Sequence, residues 1–495
     1  MQFAIMSMTC GLAAPPEEDP QRQERHRIPM NYHRYFATAR PPVETAIVGT
    51  GSFGRSFLLQ AQHMKAVNAR IAVDVDAATA AAALRAVGIP AERIRRCETA
   101  EQAVAAWVAG DFIAAGDLAQ VVDLPIDVVI EATGHPEAGA RHGELTIAAG
   151  RHLVLVSKEV DSVVGPELAR RAREKGVVVT PVDGDQPSLL IGLISWAEVL
   201  GFEIVAAGKS SEYDFVLDAA EGAITSNGRT VPAADFAGLG RLGDAAADER
   251  VAARSRAAAA LSQRAVPDLC ELLLVANATE LSFDRPDLHA PIARIDEVAS
   301  LLCPAEDGGL LAGTGRLDVF HCLRGAHEVS AAGGVFVVVR CTSEETWRIL
   351  AEKGHLVSRT GNHATILLPR HLLGLEAATS VLEAAIHGAS TGAAAPKPRY
   401  DLVARAQRDL PAGTVLAMGG HHHTIDGLGA ELQPAAPLSP AAPAPFYLAA
   451  NQRLVRDVRQ GALVTMADIE IASGSVLLAL RQAQDAAFFG HSAAA

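Results

Sequence analysis

Polar residues close several of the apolar runs of this chain, and their types are those that handle charge on oxygen. They are Thr133 and Gly134 in Glu131-Ala132-Thr133-Gly134, Lys158 in Ser157-Lys158-Glu159, Asp183 and Asp185 in Asp183-Gly184-Asp185-Gln186-Pro187, and Lys209 in Gly208-Lys209-Ser210-Ser211. Hydride addition to a ketone or aldehyde leaves negative charge on oxygen, and a fixed cation or proton donor beside it lowers the barrier. Lys158 and Lys209 are the candidate cations. Asp183 and Asp185 are suited to hold the ammonium groups, to order a water or a metal, or to take a proton when the reaction runs from alcohol to ketone. Each residue alone reads equally as a strand cap, an exposed turn acid or a snorkelling lysine. Convergence on one cleft is what would make them a site.

Upstream, Gly49-Thr50-Gly51-Ser52-Phe53-Gly54 has the form G-x-G-x-x-G, directly after an apolar run and directly before a helical one. In that context Gly49 permits the tight turn, Gly51 lets backbone N–H groups approach a pyrophosphate, and Gly54 lets helix and sheet lie close. Asp74 follows Gly54 by 20 residues, at the distance of an acid that holds ribose hydroxyls, and Asp76 is the alternative. An acid there favours NAD over NADP by repulsion of a 2′-phosphate, and the expected cofactor is NADP or NAD. The cofactor-binding set is Gly49, Gly51, Ser52, Phe53, Gly54, Asp74, Thr133, Gly134 and Lys158. A divalent metal is left without assigned ligands.

The elements that must position these groups follow from the pattern around them. From Val43 short apolar runs (ETAIVG, ARIAVDVD, DVVIEATG, RHLVLVS, GVVVTPVDG) alternate with helical stretches (FGRSFLLQAQHM, AATAAAALRAVG, GPELARRAREKG), the last expected to start at Gly165-Pro166. The fold class is therefore α/β: a Rossmann-type doubly wound parallel sheet over residues 41–180, an α+β catalytic domain over 181–395, and a small β-rich domain on a linker over 396–495. Residues 1–40 read as an extension, with Met30 a second plausible start.

Composition excludes other classes. The 495 residues are 49% hydrophobic and carry a net charge of −14, which repels a phosphate backbone, so a nucleic-acid partner is not expected. No apolar run is long enough for a membrane span. Six dispersed cysteines, with no C-x-x-C pair, fit a reducing cytoplasm. Cys303-Pro304-Ala305-Glu306-Asp307-Gly308-Gly309 reads as a connection rather than a lid. His421-His422-His423 reads as structural or interfacial, because adjacent imidazoles do not easily face one ion.

Taken together, Gly49 to Gly54, EATG at Glu131–Gly134, Lys158-Glu159 and GDQP at Gly184–Pro187 resemble the homoserine dehydrogenase-like oxidoreductases that carry a C-terminal SAF domain. So do PDLCELLLVANAT at Pro267–Thr279, CPAEDGG at Cys303–Gly309, AGGVFVVV at Ala332–Val339 and HLLGLE at His371–Glu376. DLPAGTVL (Asp409–Leu416) and GALVTMADIE (Gly461–Glu470) resemble the SAF pattern itself. The resemblance implies an NAD(P)-dependent enzyme with a catalytic and dimerising middle domain, a homodimer or larger assembly, and a helix at 375–388 that returns to complete the nucleotide domain. Some members are 1-deoxy-D-xylulose 5-phosphate reductoisomerase-like, which implies a small phosphorylated carbonyl substrate and isoprenoid precursor synthesis. Homoserine dehydrogenase is the alternative, although its DVxRK-like segment is not found in this chain. A non-catalytic dinucleotide and sugar sensor is the alternative of another class.

Overall fold

The computed structural model describes residues 31–38, 40–420 and 423–490. Most of the expected extension, and His421 and His422 of the histidine triplet, lie outside the described residues. The short helix Tyr32–Tyr35 belongs to a first unit, and residues 42–495 form a second.

Seven strands make the first sheet: β1 Val43–Val48, β2 Val67–Val73, β3 Ile94–Cys97, β4 Phe112–Ala115, β5 Val128–Glu131, β6 His152–Leu155 and β7 Val179–Pro181. All pairs are parallel, in the order β3-β4-β2-β1-β5-β6-β7. β5 is buried at all four positions, as required of a central strand covered by helices on both faces. Helices α1 Ser52–Ala61, α2 Ala77–Ala86, α3 Ala100–Val108, α4 Pro136–Ala148 and α5 Lys158–Lys175 cover it. α1 buries Gly54, Phe57, Leu58 and Ala61 along one stripe, and burying Phe57 alone is worth about 2–3 kcal/mol. Strand order reverses between β1 and β5, and a crevice at such a reversal is where ligands of open α/β sheets bind.

Two features depart from the sequence reading. β3 and β4 are not among the five apolar runs named above: β3 reads Ile-Arg-Arg-Cys, with Arg95 and Arg96 exposed on an edge strand, so its apolar run is broken. α5 starts at Lys158 and not at Gly165-Pro166, leaving Pro166 inside the helix. Glu159 in its first turn complements the helix dipole, and Val160, Val163, Val164 and Leu168 bury one face, which outweighs the hydrogen bond that proline forfeits.

α6 Gln186–Val199 leads to the second, mixed sheet. Its path is β11-β10-β9-β13-β8-β14-β16-β15, with β12 beside β13. The strands are β8 Ile204–Ser210, β9 Phe215–Asp218, β10 Ala223–Ser226, β11 Arg229–Pro232, β12 Ile292–Ala293, β13 Arg316–Arg324, β14 Val335–Arg340, β15 Leu356–Val357 and β16 His363–Leu368. α7 Ala247–Ala257, α8 Val266–Ala278 and α9 Glu344–Glu352 accompany it, and α8 packs on both α5 and α6. The Cys303–Gly309 turn joins elements, with Asp307 lying 3.4 Å from His363.

The segment expected as one helix at 375–388 is instead a 3₁₀ turn Leu373–Leu375, a short helix Ala378–Leu382 and a π turn Glu383–His387. The segment packs on α1, β1 and β2. A side chain on Gly374 would meet the Phe53 carbonyl and the Phe57 amide of α1, so the chain crosses α1 there with backbone against backbone. The C-terminal segment holds β17 Tyr400–Ala406 paired with β20 Leu428–Pro434, and the two-residue pairs β18 Met418–Gly419 with β19 Thr424–Ile425 and β21 Arg453–Leu454 with β22 Ile469–Glu470. Rather than standing off on a linker, it docks through α10 Val476–Phe489, which lies along α5 and α4.

Candidate active site

The glycine loop has the geometry its spacing predicts. Gly49 adopts φ +93°, and a Cβ there would collide with the Ala132 carbonyl of the strand-end turn after β5. A Cβ on Gly54 would collide with the Gly49 carbonyl, whereas one on Gly51 would meet open space. Two glycines are thus needed for packing, and the third faces an open approach at the uncapped N-terminus of α1, where unpaired N–H groups attract an anion. Asp74, just past β2, accepts bonds from the Thr50 amide at 2.8 Å and from the Thr50 hydroxyl, which ties the acid to the loop. Asp76 is exposed and caps α2 through the Thr79 amide, so it serves the helix rather than the loop.

Beside the loop opens a cavity of about 400 Å³, lined on one side by Gly51, Ser52, Phe53, Thr133 and Gly134 and on the other by Lys158, Glu159, Asp185 and His423. Lys158, the first residue of α5, is 19% exposed at its side chain. Its ammonium lies 3.4 Å from Asp185, the N-cap of α6, and pairs with Glu271 of α8. Lys209, near the end of β8, is fully buried; it pairs with the other Glu271 oxygen and lies 2.9 Å from Asp268. Asp268 in turn accepts 2.7 Å from the Ser211 hydroxyl. One carboxylate therefore bridges two ammonium groups, only one of which faces the cavity.

The electrostatics follow from that bridge. Burial disfavours the Lys158 charge, but Asp185, Glu271 and Glu159 outweigh it and hold the ammonium well above the usual lysine range. Lys209 is likewise raised: burial opposes its charge, Glu271 and Asp268 restore it, and Lys158 acts against it. For Glu271 burial pushes upward, yet Lys158 and Lys209 bring it down to about 2. His423 is raised chiefly by its hydrogen bond with Glu159, at 2.6 Å from Nδ1. A side chain on Gly134 would run into the His423 ring, so the C-terminal segment reaches over the strand-end turn.

The predicted residues thus divide. Gly51, Ser52, Phe53, Thr133, Gly134, Lys158 and Asp185 line one cavity, and Gly49 and Gly54 shape its floor. Asp183 does not reach it: both its oxygens are taken, by the hydroxyls of Ser188 at 2.5 Å and Thr379 at 2.6 Å, while its amide donates to Ser380. It is a half-buried brace for the returning segment, with burial pushing its carboxyl up against those bonds. Lys209 is also withheld from the cavity and acts only through Glu271. Glu271, Asp268, Glu159 and His423 were missed as site residues. Asp268 and Glu271 sit at i and i+3 in an apolar helix, a spacing that places two carboxylates on one face and would have marked them.

A metal finds no set of ligands here. Both oxygens of Glu271 face ammonium groups, and among the described residues no cluster of three or more His, Cys, Asp or Glu converges.

Residues 184–377 match the family described as the catalytic domain of the oxidoreductase DRL, a stretch that contains Asp185, Lys209, Asp268 and Glu271. The match falls within residues 181–395, the stretch that the sequence led one to read as a catalytic domain. No curated protein matches. Among solved structures the chain is similar to biliverdin reductase from Synechocystis sp., crystallised with biliverdin and NADP+, at 20% identity over 36% of this chain and 48% of that one, with a TM-score of 0.22. A second is 1-deoxy-D-xylulose 5-phosphate reductoisomerase from Zymomonas mobilis with NADPH, at 15% identity over 47% and 57%, TM-score 0.28. A third is levoglucosan dehydrogenase with NADH and L-sorbose, at 16% identity over 37% and 44%, TM-score 0.25. The chain spans about half the length of these structures.

Proposed function

We propose that this chain transfers hydride between a nicotinamide dinucleotide, NADP or NAD, and a small polar carbonyl compound. The observation that carries the reading is the opening of the Lys158 ammonium into the same cavity as Gly51, Ser52, Phe53, Thr133 and Gly134. The loop and the α1 N-terminus would hold the pyrophosphate, with Asp74 placed for a ribose. When bound, the dinucleotide supplies or accepts the hydride. Lys158 then carries the charge that develops on the substrate oxygen and gives it a proton, while Glu271 and Asp185 fix the ammonium in place. Lys209 is a positioning residue that holds Glu271.

At the finer level we read the substrate as a phosphorylated sugar of the 1-deoxy-D-xylulose 5-phosphate type, with homoserine as the competing substrate. The reading of the C-terminal segment as an SAF module, and of a homodimeric assembly, is carried by the resemblance, whereas the placing of His423 at the cavity is carried by its bond with Glu159. The test is optical: oxidation of NADPH and of NADH by the purified protein with 1-deoxy-D-xylulose 5-phosphate, beside NADP+ or NAD+ reduction with homoserine. Turnover of the sugar phosphate is expected, with Lys158→Met lowering kcat on the order of 10²- to 10⁴-fold while dinucleotide binding persists. Equal turnover in Lys158→Met removes that residue from the chemistry. Dinucleotide binding without turnover of either compound moves the search to other hydroxy acids and sugars.

A further inference from the structure

A second acid stands behind Lys158, on the side away from the open cavity. Asp161 lies one helical turn along α5 from Lys158, on the same face. It is part-buried, and its carboxyl makes no hydrogen bond or ion pair with any described residue. Two small voids meet at it. The first, about 10 Å³, is lined by Lys158, Asp161, Asp185, Pro181 and Leu274. The second, about 30 Å³, runs from Asp161 past Gly165, Leu274 and Asn277 to Ala393 and Pro396, next to the exposed Ala394 and Ala395. Volumes of roughly 10–15 Å³ per water make these sites for one and about two waters.

We propose that Asp161 is a proton relay, returning protons from the Ala393–Pro396 surface to Lys158 through the two voids. The inference rests on the assignment of Lys158 as proton donor. Reducing a carbonyl adds a hydride to carbon, taken from the reduced nicotinamide, and a proton to oxygen, taken from the Lys158 ammonium. Lys158 is left as a neutral amine short of one proton. With dinucleotide and substrate filling the front cavity, bulk water no longer reaches it from that side. The Asp161 carboxyl gives its proton to the amine through the first water, and the carboxylate is reprotonated through the second void. Asp185, 3.4 Å from the Lys158 ammonium, is the other acid at the first void, and among the described residues Asp161 is the one ionisable side chain that lines the second and so joins the two: the remaining facing residues are Leu274, Asn277 and Ala278 from α8, Pro187 and Ile191 from α6, and Pro181 from β7. Desolvation alone raises the Asp161 carboxyl to about 7, so it holds and releases a proton near neutrality.

The test uses Asp161→Asn and Asp161→Glu in the full chain. Asp161→Asn is expected to lower kcat about tenfold with KM unchanged, to raise the solvent deuterium isotope effect, and to recover with an added weak acid, while Asp161→Glu keeps most of the rate. Unchanged kcat and isotope effect in Asp161→Asn, with dinucleotide still bound, overturns the relay. A second readout needs no substrate. The infrared band of a protonated carboxyl, titrating near pH 7 and lost in Asp161→Asn, should shift on transfer to D₂O even with dinucleotide bound. A band that fails to exchange overturns the relay whatever the substrate proves to be, whereas failure of dinucleotide binding itself strikes the functional reading instead.

Discussion

Glu271 decides the chemistry of the site by deciding what its two lysines can do. It is buried between Lys158 and Lys209, and removing it leaves Lys158 with Asp185 and Glu159 and Lys209 with Asp268. Breaking a buried ion pair in this way costs on the order of 3–5 kcal/mol. The sign of the pH dependence follows from its lowered pKa. The stabilisation is fully present above the ordinary glutamate value of 4.5 and is lost as pH falls towards about 2. Glu271→Gln is therefore expected to have a lower Tm than the parent at pH 7, with the gap closing as the pH is brought down to 3, followed by calorimetry across that range. A gap that widened in acid would mean that Glu271 is protonated in the folded protein. Sequence alone led to Lys158 and Asp185, because strand ends of a parallel sheet are where polar residues gather. It did not lead to Glu271: the i, i+3 pair Asp268 and Glu271 in an apolar helix was the available signal, and what it means is set by the lysines of β8 and α5, which lie far away in sequence.

At the scale of the element, the glycine loop separates packing from binding within six residues. A methyl group on Gly54 would press on the Gly49 carbonyl, and overpacking against backbone costs about 1–3 kcal/mol or more. A methyl group on Gly51 meets nothing and instead stands where the pyrophosphate would approach. Gly54→Ala is thus expected to lower Tm by several degrees, whereas Gly51→Ala should keep the parent Tm and lose most of its dinucleotide affinity, read by titration of NADPH fluorescence. Loss of Tm in Gly51→Ala, or full affinity there, would break the assignment. The loop, α1 and the acid after β2 were legible because each position has one mechanical reason for its residue type. The start of α5 was not: Pro166 reads as a first-turn proline, and only the buried Val160, Val163 and Val164 explain why the helix runs through it from Lys158. Nor was the break in the 373–387 segment, whose apolar spacing is helical but whose path is set by the crossing of Gly374 over α1 and by the hydroxyls of Thr379 and Ser380 on Asp183.

Across the whole molecule, the chain end is tied to the helix that carries Lys158. Gln484 of α10 donates 3.2 Å to the Val163 carbonyl and accepts from the Glu167 amide, both on α5, and the Ser475 cap of α10 donates to Glu137 at the start of α4. The clasp is Arg481, fully buried, with two bonds to Asp401 of β17 at 2.7 and 2.8 Å and one to Asp485 at 2.8 Å. Arg481→Met removes the cation and leaves two carboxylates without it, at a cost of about 3–5 kcal/mol. If the C-terminal segment were an independent module, only that segment would loosen. The tryptophans discriminate, because Trp107, Trp196 and Trp347 lie on α3, α6 and α9, all outside it. The expected outcome for Arg481→Met is one transition at lower temperature in which tryptophan fluorescence and far-ultraviolet circular dichroism move together, since loss of α10 uncovers α5 and with it the seam between the two sheets. Dinucleotide at about 100 times its Kd should then restore roughly 2.7 kcal/mol, because the ligand binds only the folded form. An early loss of helix signal with unmoved tryptophan fluorescence would show instead that the C-terminal segment folds on its own, and that its His423 is lent to the site by a detachable arm.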